Sequence, residues 1–88
     1  MAATQNDLSL TITWSDVVAT YAALASASAF IQNKGPGPVL VYFSASGTAP
    51  TGSNGTLLRA GETTLGTAAH IWVRALNNDA EISPGLTD

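Results

Sequence analysis

Between Leu8 and Trp14 the apolar residues Leu8, Leu10, Ile12 and Trp14 alternate with Ser9, Thr11 and Thr13. A period of two predicts a half-buried strand across the whole run, with one face on a core and the other in water. The same period recurs in His70–Leu76, where Ile71, Val73 and Ala75 form one side and His70, Trp72, Arg74 and Leu76 the other. Val39-Leu40-Val41-Tyr42-Phe43 is different: an unbroken apolar run, β-branched and aromatic, too short for a helix. It predicts a central strand covered on both faces, Tyr42 included. Ala29–Asn33, Thr56–Ala60, Thr63–Leu65 and Ala80–Ser83 read as shorter strands. Residues 15–29 are Ala-rich, and Val17, Tyr21, Leu24 and Ser28 recur at helical spacing behind a capping Ser15. No Glu or Gln closes a capping box there, yet a short helix near residues 16–25 is preferred to an irregular strand.

Turn chemistry separates these segments. Lys34-Gly35-Pro36-Gly37-Pro38 has two prolines without amide donors and two glycines free to take positive φ. It predicts a turn that joins Phe30–Asn33 to Val39–Phe43 as a β-hairpin. Ser44–Gly55 is a loop by composition, Gly61-Glu62 a turn, and Asn77-Asn78-Asp79 a tight turn. The result is six or seven short strands with no connection long enough for repeated parallel crossovers. The expected fold is all-β: a small antiparallel β-sandwich or barrel in one domain over 1–88, with 1–7 and 85–88 as frayed tails.

Composition narrows the function more than the fold. Charged residues make up 10% of the chain, against roughly 25% in an average soluble protein. Ala, Ser, Thr and Gly supply nearly half of the residues. Three basic residues against six acidic ones give a net charge of −3, so no basic patch exists to displace counterions from nucleic acid or to hold an anionic membrane. The absence of cysteine excludes a disulfide framework and any thiolate metal site. No apolar run approaches the ~20 residues of a membrane helix. The segment Met-Ala-Ala-Thr-Gln-Asn-Asp does not read as a secretory signal.

Few residues could carry chemistry. A Ser–His–Asp site would have to use His70, and no Gly-x-Ser-x-Gly elbow accompanies it. Asp79 and Glu81 come closest to paired carboxylates, since i and i+2 of a strand share a face. The simpler arrangement puts Ala80 and Ile82 in the core and leaves both acids in water. No catalytic, metal or cofactor-binding residue is assigned, and an enzyme is not expected. The informative surface is His70, Trp72 and Arg74, a composition that protein interfaces favour. Trp72 on such a face has three readings: an interface anchor, a platform for a sugar ring, or a ring covered by its own fold.

The runs Phe30-Ile31-Gln32-Asn33-Lys34-Gly35, Gly37-Pro38-Val39-Leu40-Val41, Ala49-Pro50-Thr51, Asn54-Gly55, Leu57, Ala60-Gly61-Glu62 and Ile71-Trp72-Val73-Arg74-Ala75 together resemble small all-β structural proteins of tailed bacteriophages. The likeness covers roughly half of the chain and consists of turn and strand residues rather than chemistry. Ala60 stands where the pattern usually has a proline before Gly-Glu. The resemblance implies a virion component made in the host cytoplasm, either a capsid decoration or cement protein or a module of the tail. Its implied partners are the major capsid protein, other virion proteins and further copies of itself. The alternative role is a tail-associated carbohydrate- or receptor-binding module, with Trp72 or Tyr42 stacking on the ligand and the 44–55 loop adding polar contacts.

Overall fold

The computed structural model describes residues 3–52, 54–77 and 79–87 and is a sandwich of two antiparallel sheets. In chain order its strands are β1 (Ala3–Thr4), β2 (Leu8–Leu10), β3 (Ser15–Asp16), β4 (Ala29–Pro36), β5 (Val39–Ser44), β6 (Thr56–Leu58), β7 (Thr63–Gly66), β8 (His70–Ala75) and β9 (Ala80–Leu86). A one-turn helix, α1 (Val17–Thr20), and a 3-10 turn at Ala22–Leu24 lie between β3 and β4. The first sheet runs β1-β9-β4-β7, with β2 beside β1 on the same edge of β9. The second runs β3-β8-β5-β6. Of the sandwich and the barrel, the chain adopts the sandwich, and the expected short helix is present.

Period-two patterning builds the interior. Ala29, Ile31, Ala80 and Ile82 point inward from the first sheet; Val39, Val41, Ile71, Val73 and Ala75 answer from the second. Leu10 and Leu58 extend this layer, and Val17 and Leu24 from the helical segment join the same cluster. Each fully buried Val, Leu or Ile side chain of this layer contributes about 1.5–3 kcal/mol. Sheet-to-sheet contact is close where β5 meets β7: a Cβ on Gly66 would fall 2.7 Å from the Phe43 ring, so glycine is needed there.

The 34–38 segment does not make a hairpin. β4 pairs with β7 and β9, β5 pairs with β6 and β8, and the turn between them carries the chain from one sheet to the other. Asn33 explains how. Fully buried, it donates from Nδ2 to the carbonyls of Gly37 (2.9 Å) and Leu58 (2.8 Å), and its Oδ1 accepts from the Gly35 amide (2.7 Å). Gly35 sits where the β4–β9 register shifts, with φ of +84°, a conformation an L side chain resists. The amide then folds the arch over itself instead of leaving it to ladder bonds that two prolines cannot donate.

The Leu8–Trp14 strand is also shorter than its pattern predicts. After Leu10 the chain leaves the first sheet, and it joins the second at Ser15. Ile12 is 58% exposed and Trp14 lies outside the core. Alternation continues through the crossing because period two is equally compatible with a strand that changes sheets. The Thr11 carbonyl accepts the Ala75 amide at 2.8 Å, which anchors the crossing to β8.

At the chain ends, Ala3–Thr4 pairs with Gly85–Leu86, and Pro84 and Gly85 are buried within β9. The Thr87 amide donates to the Ser28 carbonyl at 2.9 Å. The 76–79 connection crosses from the second sheet to the first; Asn78, the centre of the expected tight turn, lies outside the described residues.

Candidate functional site

The outer face of the second sheet brings together Asp16, Tyr42, His70, Trp72 and Arg74. Strand register sets them in rows. β3, β8 and β5 place Asp16 beside Trp72 and Trp72 beside Tyr42. One step along, Arg74 pairs with Leu40 and Leu40 with Leu57 of β6; one step the other way, His70 pairs with Ser44. Trp14, just ahead of β3, puts its ring 5.9 Å from the Arg74 guanidinium carbon, within reach of a cation–π contact. The inner and outer faces alternate along β8, so His70, Trp72 and Arg74 come to this face together, as the periodicity predicts.

Coverage of β5 is uneven. Leu40 is buried on the outer face, but Tyr42 is 37% exposed and faces outward beside Trp72. A strand covered on both faces was expected, and only its first half is. An apolar run reveals that no residue in it is polar, not how far its own loop reaches across it.

That loop is 44–55, and its own side chains hold it. Ser44 Oγ accepts the Ser46 amide at 2.9 Å, Ser46 Oγ the Thr48 amide at 3.1 Å, and Asn54 Nδ2 donates to the Thr51 carbonyl at 2.9 Å. Local bonds of this type are what Ser and Asn supply in turns. The loop leans on the sheet at two points: Trp72 Nε1 donates to the Ser46 carbonyl at 3.2 Å, and Arg74 Nη1 to the Gly52 carbonyl at 2.8 Å. Arg74 also bonds the carbonyls of Ala75 and Leu76, both at 3.1 Å. Three of its five N–H donors are thus committed within the molecule. Trp72 is neither core nor bare surface; the ring lies half-buried on the outer face beneath its own loop.

His70 is similarly engaged. Its Nδ1–H donates to Asp16 Oδ2 at 2.7 Å, which fixes the tautomer. Asp16 Oδ1 accepts the Val18 amide at 3.0 Å and the Ile71 amide at 3.3 Å, so one carboxylate caps α1 and clamps β3 to β8. Asp16, not Ser15, is the helix cap. On the far side of the imidazole, a Cβ on Gly47 would sit 3.5 Å from Nε2, so the loop lies against the ring.

Elsewhere the groups are dispersed. Asp79 and Glu81 border an open cleft of about 340 Å³ with Ser9, Gly35, Pro36 and Ala80. Both acids are exposed while Ala80 and Ile82 are buried, as the simpler reading of that strand requires. Lys34 Nζ meets Asp7 Oδ2 at 2.5 Å, and that hydrogen bond, with the carboxylate's charge, holds the ammonium's pKa above its usual value. Among the described residues no three His, Asp or Glu side chains gather as a metal site would need, and no helix is long and apolar enough to cross a membrane.

The sequence did not single out Asp16 or Asn33. For Asn33 a signal existed: it stands on the inward phase of Ala29-x-Ile31-x-Asn33. Asp16 had a local signal for its capping role, since Asp ahead of Val17 is a favoured N-cap, but none for His70, which is 54 positions away. No protein-family model, curated protein or solved structure matches the chain.

Proposed function

We propose that the chain is a non-enzymatic structural protein of a bacteriophage virion that decorates or cements the capsid, and that it docks through the outer face of the second sheet. The observation that carries this reading is the pairing of Tyr42 with Trp72 across β5 and β8, with Tyr42 outward and unburied. Aromatic side chains that are partly covered and fixed in place provide contact area at small entropic cost. Low charge on the chain removes most of the desolvation penalty that a charged surface would pay on docking. The phage-like turn and strand pattern supplies the biological setting. A chain of this size buries a modest share of its surface, so a partner that binds only the folded form adds stability by mass action.

Two measurements test the proposal. Quantitative mass spectrometry of purified particles should find the chain at the multiplicity of the capsid lattice; its absence from particles would refute the reading. Tyr42→Ala should then weaken capsid binding by about 2 kcal/mol, while thermal unfolding of the free protein moves little. Tyr42 is the better probe because Trp72 also holds Ser46, so its removal would disturb the loop.

The same pair favours a second role, a carbohydrate- or receptor-binding module of the tail, since two neighbouring aromatic rings on a sheet face suit a sugar ring. A glycan hit lost on Tyr42→Ala, with the chain present at tail rather than capsid copy number, would select it. A glycan array without hits would remove it.

A further inference from the structure

One edge of the sandwich is built to accept another strand. β7 closes the first sheet: Thr63-Thr64-Leu65-Gly66 pairs with β4 through four consecutive partners without a bulge. Among the described residues, no backbone group of 63–66 bonds to anything outside that ladder. The strand has no charged residue and no proline, and Leu65 is 67% exposed. Natural edges are normally guarded by charge, proline, bulges or brevity. The opposite edges here follow that rule. β1 and β3 have two residues each, β2 has three, and Asp16 ends β3 where α1 begins. β6, the other edge of the second sheet, has three residues; β7, with four, is the longest of these edges and has neither charge nor interruption.

We propose that β7 pairs antiparallel with β7 of a second copy about a twofold axis through Leu65, joining two first sheets into one. Several observations select a second copy as the occupant. Residues directly opposite in an antiparallel pair share a face, so a twofold axis normal to the sheet must pass through a residue and not between two. Centring it on Leu65 sets that side chain against its own copy on the outer face. Phe30 of β4 is already the cross-strand partner of Leu65, so the dimer would carry an unbroken apolar row of Phe30, Leu65 and their two counterparts. Neutrality of 63–66 means that self-pairing brings no like charges together. β6, the edge of the second sheet, joins β7 through the short 59–62 turn and also carries an exposed leucine, Leu57. The inference rests on sheet topology and is independent of the capsid reading.

The absence of cysteine makes the test clean. Opposed Cβ atoms in this register lie about 5 Å apart, close enough for a disulfide after slight adjustment. Thr63 is on the same face and exposed, yet it would lie roughly 13 Å from its counterpart. Under mild oxidation Leu65→Cys should become a cross-linked dimer many-fold faster than Thr63→Cys. Sedimentation of the unmodified chain, up to about 1 mM, should show a monomer–dimer equilibrium. Leu65→Lys should abolish the dimer while circular dichroism stays unchanged. A chain that remains monomeric throughout, equal cross-linking of the two cysteine variants, or a trimer or larger ring would each overturn the proposal. Particle copy number plays no part in these readouts, so the two proposals can fail separately.

Discussion

Asn33 is the residue on which most of the local architecture converges. Its side chain satisfies two carbonyls and one amide, and its backbone accepts from the Gly61 amide at 2.6 Å and donates to the Glu62 carbonyl at 2.9 Å. One buried residue therefore ties β4, the 34–38 arch, the end of β6 and the 59–62 turn. Asn33→Leu keeps the number of side-chain heavy atoms and the branch at Cγ but strands the Gly37 and Leu58 carbonyls and the Gly35 amide. The expected loss is about 3 kcal/mol, dominated by unsatisfied buried groups rather than by the bonds themselves. Denaturant unfolding measures it: the midpoint should fall with little change in slope. A near-neutral result would mean that water replaces the amide.

At the scale of elements, α1 and β3 depend on one carboxylate. Asp16→Ala removes the helix cap, the Ile71 amide's side-chain acceptor and the partner of His70 at once. Caps of this kind are worth about 1 kcal/mol, and the additional bonds should bring the loss to roughly 2 kcal/mol. Amide exchange should accelerate at Val18 and Ile71 before it does in β4 or β9. Element existence was legible in the sequence because alternation, apolar runs and Gly/Pro punctuation report local geometry. Element partnership was not. Leu8–Trp14 keeps its alternation across a change of sheet, and Lys34–Pro38 has the composition of a turn whether it returns to a neighbour or arches over the core. The candidate face was half legible. Period two placed His70, Trp72 and Arg74 together, but the loop that engages the latter two, and Tyr42 beside them, depend on the register of a strand 30 positions earlier in the chain.

For the whole molecule the ladder pattern has a kinetic cost. β5 and β6 are the only sequence-adjacent strands that pair with each other among the described residues. The largest ladder joins Ala29 to Leu86 and Pro36 to Ala80, so the first sheet cannot form until distant ends of the chain meet. Loop closure must then precede most of the stabilising contacts. Refolding should be slow for a domain this small, on the order of milliseconds to seconds, as stopped-flow Trp fluorescence would read. A microsecond phase carrying the full amplitude would contradict the topology.

The pairing of Ala3 with Leu86 has one more consequence. The backbone comes in and goes out at neighbouring points on one edge of the sandwich, running in opposite directions. A domain with that arrangement can be spliced into a surface loop of a carrier protein as a cassette, because it widens the loop's base by little more than one inter-strand spacing, about 5 Å. The aromatic face belongs to the other sheet, so a graft at this position would leave Tyr42 on display, with Trp72 beside it.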